Sequence, residues 1–332
     1  MKQIIKKIIK VLFIPIKYFF VLIFHFFSIF DNRKLCIIFM DGGLGSQINK
    51  LALGLNLKKN GYLLKYDLSA FRKQQKDING IFNRNFDLDK VYDEKINGAS
   101  RFEIFYAKCI NIYTNKNLFE YNEKLFEQKT PFYLNGYCDN ILYWNNVKEE
   151  LLEHCTFIKK MTPNIQQLIN EISENENSVV IHVRRGDYVG SNFDVTTPKY
   201  FINAITKLVN ELKNPKFYFF SNEPNWVLKD FIPLLTINID YQIVTLNGND
   251  NGFDDIGLMN YAKHFILSNS SFSIMGAFFA KEEVKTIIMP ELWFRKRNPT
   301  LFDEKLTDSE YKKITQNAHD ITGNTIFLPC FD

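Results

Sequence analysis

Apolar and polar positions along the chain fall into blocks whose period switches repeatedly. Residues 35–40 (Leu-Cys-Ile-Ile-Phe-Met) form a short unbroken apolar run, the pattern of a strand buried on both faces of a parallel sheet. A Gly-rich turn, Asp41 to Gln47, follows. Ile48, Leu51, Ala52 and Leu55 then recur at i, i+3, i+4 and i+7, which predicts a helix. Asn60-Gly61 ends it, and residues 62–66 begin a second strand. Strand, glycine turn, helix and strand together open a doubly wound α/β domain.

The same alternation returns after residue 177. Residues 178–183 read as a strand. Thr197 and Pro198 have the N-cap and N1 chemistry of a helix start, with Phe201, Ala204, Ile205, Leu208 and Leu212 as its buried stripe. Strands are predicted at 217–220, 241–246 and 265–267, a helix at 255–262, a helix capped by Ser270 or Ser271 and running to Ala280, and a last strand at 286–289. This predicts a second parallel sheet. Between the two halves the pattern is irregular, with a helix at 101–112, a strand at 132–134 and a turn at Asn135-Gly136-Tyr137. The polar stretch 172–177 marks the boundary. The expected organisation is a hydrophobic N-terminal segment, 1–31, an α/β domain, 32–175, and a second α/β domain, 176–332.

Residues 11–30 are strongly apolar and close to the ~20 residues that a membrane span needs. Pro15, Lys17 and His25 interrupt them, and Lys2, Lys6, Lys7 and Lys10 precede them. Membrane association through this helix is the expectation, with its N-terminus in the cytoplasm; a buried core helix is the alternative. No small-x-small cleavage site follows, which argues against a signal peptide. Whether the segment spans the bilayer or lies on it stays open, because Arg33 and Lys34 blunt the charge asymmetry.

The 41 basic and 37 acidic residues nearly balance, and part of the excess of +4 sits in the first ten residues. Nucleic acid is therefore not an expected partner. Five cysteines, an odd number without a C-x-x-C pair, argue against a disulfide scaffold and a cysteine zinc site. Asp87-Leu88-Asp89 is a D-x-D, a pattern that holds metal in other sugar-nucleotide enzymes. No buried strand precedes it, so it reads as a solvated loop and no metal is expected.

The strongest chemical signal is His182-Val183-Arg184-Arg185-Gly186-Asp187-Tyr188, directly after a buried strand. That edge of an open α/β sheet is where ligands bind. Arginine pairs with phosphate through two hydrogen bonds and keeps its charge. A fixed guanidinium can therefore stabilise a departing diphosphate without a metal. Structural ion pairs with Asp187 or surface acids are the alternative.

His-x-Arg-Arg-Gly-Asp-Tyr resembles the signature of the α1,2-fucosyltransferase family, glycosyltransferase family 11. Gly42 to Gln47 resembles the family's Gly-Gly-Leu-Gly-Asn-Gln turn. Asp255 to His264 followed by Ser268 to Ser273 resembles its third block, and Phe220-Ser221-Asn222-Glu223 matches its Phe-Ser-Asp-Asp strand end loosely. These stretches run in family order from about residue 36 to 295. Ser46, Asn222-Glu223 and Ile274-Met275 depart from the usual residues, which bears on sugar and acceptor preference.

The resemblance implies a GT-B-like fold, two Rossmann-like domains facing a cleft, with the acceptor on the first and a GDP-sugar on the second. It implies transfer of L-fucose from GDP-fucose to a galactose-containing glycan, with inversion and an α1,2 linkage. No cofactor is implied beyond the donor substrate. Arg184 and Arg185 become the diphosphate clamp, His182 lies beside them, and Asp187 orients them. Gly43, Gly45 and Gln47 let backbone approach the donor across the cleft, with a tight packing turn as the alternative. Asn269, Ser270, Ser271 and Phe272 would give further phosphate contacts, and Glu223 and Asp255 nucleoside contacts. For the general base only Asp187 and Asp194 suggest themselves. A transferase for another GDP-sugar and a degenerate glycan- or nucleotide-binding protein on the same fold are the competing readings. A catalytic part on the cytoplasmic side of a bacterial inner membrane is expected, with a type II protein of the Golgi as the alternative.

Overall fold

The structure, a computed structural model, describes residues 34–331 apart from 73–74, 78–79, 83–84, 115–116, 137, 247–251, 282 and 297–305, together with Phe19. The apolar segment for which membrane attachment is expected lies outside the described residues, save Phe19. Among the described residues no helix is long and apolar enough to cross a membrane.

The first lobe carries four parallel strands. They are β1 (Lys34–Phe39), β2 (Tyr62–Asp67), β3 (Ile112–Tyr113) and β4 (Phe132–Leu134), in the order β2-β1-β4-β3. Between β1 and β2 runs α1 (Leu44–Lys59), whose buried residues form an unbroken series apart from Ser46 up to Leu57. The one-sided stripe expected from sequence is too narrow. Segments of its own lobe, 85–88 and 139–144, cover much of the remaining surface, so Gln47, Asn49, Lys50 and Asn56 are buried as well. The expected helix at 101–112 ends sooner, as α2 (Arg101–Ile110), which a Ser100–Glu103 capping box opens. Asn111 turns extended and the next two residues pair with β4 instead.

The second lobe holds six parallel strands: β5 (Ser178–Val183), β6 (Lys216–Ser221), β7 (Asp240–Ile243), β8 (His264–Ile266), β9 (Thr286–Pro290) and β10 (Ile326–Leu328). Their order is β10-β9-β8-β5-β6-β7. The sheet therefore does not end at 286–289; three residues near the C-terminus add an edge strand. Three helices complete the parts needed below: α3 (Ile141–Asn145), α4 (Pro163–Glu174) and α5 (Pro198–Glu211), the last two capped by Thr162 and Thr197. These are the two Rossmann-like lobes of a GT-B-like protein.

The lobes share one core. Leu51, Phe119 and Trp144 of the first belong to the same buried cluster as Phe278, Met289 and Trp293 of the second. Phe119 stacks on Phe294 at 6.0 Å between centroids, and Trp144 meets Phe278 edge-on at 5.2 Å.

At the opposite end of the second sheet, His264 opens β8 with neither ring nitrogen bonded among the described residues. Burial first, then Lys285 and Lys263, hold its pKa down at about 4. An unfolded histidine takes a proton near pH 6.5. Its neutral form therefore supports the fold fully above that pH, and the support is lost as pH falls toward 4. The variant His264→Leu is expected to lose less stability than the parent between these values, read from denaturant midpoints at the two ends of the window.

Candidate active site

In the second sheet, β5 to β7 step outward one way and β8 to β10 the other, so the strand order reverses between β5 and β8. Such a reversal leaves a crevice at the carboxyl ends of the strands. Ser268 ties the two tips: its hydroxyl accepts from Arg184 N at 3.0 Å and donates to His182 O at 2.8 Å.

Past β5 the two arginines part. Arg184 turns toward the reversal point, where its Nη2 donates to Asp187 Oδ1 at 2.6 Å and its guanidinium lies 5.2 Å from the Tyr188 ring centre. Arg185 turns toward the tip of β6. Its Nε donates to Glu223 Oε2 at 3.0 Å and its guanidinium stacks 3.9 Å from the Trp226 ring centre. Asn222 and Glu223 also accept from the backbone N–H groups of Arg185 and Gly186, both at 2.9 Å. Gly186 closes this turn at φ +59°, with a Cβ there falling 2.4 Å from Asn222 Nδ2. The side chains of Arg184 and Arg185 are 27 % and 24 % exposed, so both paired guanidinium groups still reach the surface. Glu223, expected at the nucleoside, uses both carboxylate oxygens within the turn.

His182 is buried, bonded through Nδ1 to Ser273 Oγ at 2.5 Å and stacked on Phe272 at 5.1 Å. Burial, and secondly the Arg184 charge, push its pKa down to about 3, so the imidazole is neutral at working pH. Ser270 caps α6, the helix Ser271–Phe278, by accepting from Phe272 N at 3.3 Å. Asp255 lies in the first turn of a short helix, Phe253–Met259, whose N-cap Gly252 abuts the Phe272 ring. Burial first and Asp254 second raise its carboxyl to about 6.

Two expected contact residues are placed differently. Asn269 is wholly buried, its Nδ2 donating to Phe193 O at 2.9 Å and Trp293 O at 2.7 Å, so it fastens loops rather than lining the crevice. Gln47 is wholly buried too. Its Nε2 donates to Gly42 O and Asn85 O, and its Oε1 accepts from Asp87 N and Leu88 N. All four hydrogen-bonding positions of the amide are filled within the first lobe, leaving none for a donor sugar. The D-x-D thus serves as a docking point for Gln47, with Asp87 paired to Lys90 at 2.7 Å. Among the described residues no His, Cys, Asp and Glu cluster has metal-binding geometry.

The Gly-rich turn after β1 brings the lobes together. Gly43 stands at the N-cap of α1. A Cβ on Gly45 would fall 2.8 Å from Ser271 Cβ and 3.1 Å from Phe272 N, so the starts of α1 and α6 meet at a point where only glycine fits.

In the first sheet β1 and β4 are the two central strands, side by side. Beyond β4 stands Asp139, a residue the sequence reading passed over. Its backbone N–H donates to Leu118 O at 2.9 Å, and Asn49 Nδ2 donates to its Oδ1 at 2.8 Å. Burial raises its carboxyl to about 7, and the Asn49 hydrogen bond opposes this. The residue as a whole is half-buried. Across the lobe boundary lies Tyr188. Burial raises the Tyr188 hydroxyl, Arg184 and Ser270 oppose that, and Asp187 and Asp139 add to it. Of the two base candidates from sequence, Asp187 holds Arg184, and Asp194 accepts from Gly190 N at 2.9 Å to close its own turn. A clue to Asp139 lay in the sequence: an acid just past a strand and an Asn-Gly turn.

Residues 105–311 match Glycosyl transferase family 11. The chain belongs to this family of sugar-transferring enzymes. It is 29 % identical over 282 residues to an α-1,2-colitosyltransferase of Escherichia coli, covering 79 % of this chain and 93 % of that protein. It is 24 % identical over 304 residues to the O-antigen biosynthesis glycosyltransferase WbnK of Escherichia coli, covering 78 % and 95 %. Among solved structures it is similar to the fucosyltransferase NodZ from Bradyrhizobium, with a TM-score of 0.39 at 17 % identity over 74 % of this chain and 93 % of that one.

Proposed function

We propose that the protein transfers L-fucose from GDP-fucose to a galactose-containing glycan, with inversion and formation of an α1,2 linkage, and that it needs no metal. The observation that carries this reading is Arg184 at the strand reversal of the second sheet, beside a neutral His182 and the start of α6. A permanent cation there takes up the charge that develops on the diphosphate as its bond to the sugar breaks. On binding, the diphosphate replaces Asp187 as the partner of the Arg184 guanidinium, or shares it, and the fork offers it two parallel N–H donors. His182, unable to hold a proton at neutral pH, offers one neutral N–H instead. Residues 11–30 would hold the enzyme at a membrane, with its catalytic part on the cytoplasmic side.

A second donor is favoured by one observation, the similarity to an α-1,2-colitosyltransferase. Colitose is fucose without its 3-hydroxyl, so the two GDP-sugars differ at one polar group and share the same leaving group. The test is GDP release from purified protein with each donor and a panel of galactosides, followed by linkage analysis of the product. Release with GDP-fucose and a 2-linked galactoside product supports the first reading. Turnover with GDP-colitose alone would replace it with the second, and GDP binding without turnover would leave a binding protein. Activity is also expected to survive chelator; loss in EDTA with recovery on adding manganese would overturn metal independence.

A further inference from the structure

We propose that Asp139 is the general base that takes the proton from the attacking acceptor hydroxyl. The inference rests on the transferase reading above and supplies the residue that reading lacks. Inverting transfer by single displacement needs a group opposite the leaving nucleotide to accept that proton.

The placement argues for it from both lobes. The second sheet offers a crevice at its strand reversal, between β5 and β8, and in the first sheet the segments that follow the adjacent central strands β1 and β4 leave from the carboxyl ends of those strands. The Gly45–Ser271 contact brings these two ends together. Arg184 stands at one, on the side expected to hold the diphosphate, and Asp139 stands at the other, on the side expected to hold the acceptor. Tyr188 lies between them, its ring beside the Arg184 guanidinium and its hydroxyl within electrostatic reach of the Asp139 carboxylate. An acceptor hydroxyl entering from the first lobe thus meets a carboxylate on its own side and a sugar whose leaving group points away.

Asp139 also has the chemistry. Its Oδ1 is fixed by Asn49, which Trp144 orients in turn by donating Nε1–H to Asn49 Oδ1 at 3.1 Å. This leaves Oδ2 to accept. The charged groups nearby already have partners. In the first lobe, buried Lys50 pairs with Asp41 at the end of β1 and sits close enough to Cys138 to feel it. In the second, Arg184 pairs with Asp187 behind Tyr188. Burial raises the carboxyl to about 7, against the pull of the Asn49 hydrogen bond, and a base is most effective near that pH.

In the step, the acceptor oxygen forms a bond to C1 of the sugar while its proton passes to Asp139 Oδ2. The C1–oxygen bond to the diphosphate breaks and its electron pair leaves on GDP, held by Arg184. Asp139 then returns the proton to water.

The test uses the whole chain. Wild-type kcat/KM with donor and galactoside should rise with pH through about 7. Asp139→Asn, which preserves shape and can still accept from Asn49, should lower kcat ~100-fold. It should leave KM for the GDP-sugar and calorimetric GDP affinity unchanged, and it should abolish the acid limb of the profile. Asp139→Glu should keep a limb. A near wild-type kcat in Asp139→Asn, or a limb that persists, overturns the proposal. Should the Asn variant fail to bind GDP, Asn49→Ala supplies the reading instead. Losing that hydrogen bond should move the limb to higher pH, and an unmoved limb overturns the proposal. Failure of the donor reading looks different, because wild-type protein then gives no turnover with GDP-fucose. The same profiles are then run with whichever GDP-sugar it does turn over, and a wild type that turns over none overturns both ideas.

Discussion

Replacing Arg184 by Ala is expected to lower sugar transfer between ~100-fold and ~1,000-fold, or ~2.7 to ~4 kcal/mol of transition-state stabilisation. The size follows from what the guanidinium would do. It stands at the strand reversal of the second sheet, partly exposed, on a backbone pinned by Ser268. Its carboxylate partner, Asp187, is itself part-exposed, so the pair contributes little to folding and is free to admit a diphosphate. Most of the loss should fall on kcat, since charge on the diphosphate grows as the bond breaks. Arg184→Lys keeps the charge but not the fork, and is expected to recover only part of the rate. Arg185 makes the contrast. Its guanidinium is held by Glu223 and flat against Trp226, so Arg185→Ala should act through the shape of the turn and cost less than Arg184→Ala. Steady-state GDP release with purified, GDP-binding variants measures all three. A wild-type rate in Arg184→Ala would remove the clamp.

How far the sequence exposes this site depends on which physical signal each part carries. Buried parallel strands announce themselves by unbroken apolar runs, so residues 132–134 and 178–183 were placed at their observed ends. Short edge elements carry no such signal. Ile326–Leu328 is three residues on the outside of the sheet. Two helices have legible starts: Thr162-Pro163, with Ile165, Ile169 and Ile172 on one face, and the capping box of Thr307 with Glu310. The arginine motif was legible because charge at a strand tip is unusual. Which arginine faces the reversal was not, since it depends on Glu223 and Trp226 arriving from β6. Gln47 sits in a turn whose glycines suggest ligand approach, and only the fold reveals that its amide is filled by the segment 85–88. Asp139 gains its place from a contact between lobes, with Tyr188 and Asn49 distant in sequence, and no local pattern encodes that.

Trp144→Ala is expected to cost ~3 to ~5 kcal/mol of folding stability, the range for a large aromatic removed from a core. Trp144 is 2 % exposed and lies in α3 of the first lobe, yet its ring packs against Phe278 at 5.2 Å and Phe279 at 6.4 Å in the second. Truncation therefore opens a void at the seam and leaves Asn49 Oδ1 without its indole donor. Trp144→Phe keeps most of the ring contact and loses the N–H, so it should cost less, ~1 to ~2 kcal/mol, mainly the unmet acceptor. Leu142, two residues earlier in the same helix, is 44 % exposed, and Leu142→Ala should change stability by less than ~0.5 kcal/mol. Denaturant unfolding of the three variants measures these differences. Because one buried cluster runs through both sheets, the parent is expected to unfold in a single transition. A loss below ~1 kcal/mol in Trp144→Ala, or separate transitions for the two lobes in the parent, would mean that the seam does not bind the lobes into one unit. The alignment of Asp139 with the arginine turn would then have to come from bound substrate, since the shared core would no longer supply it.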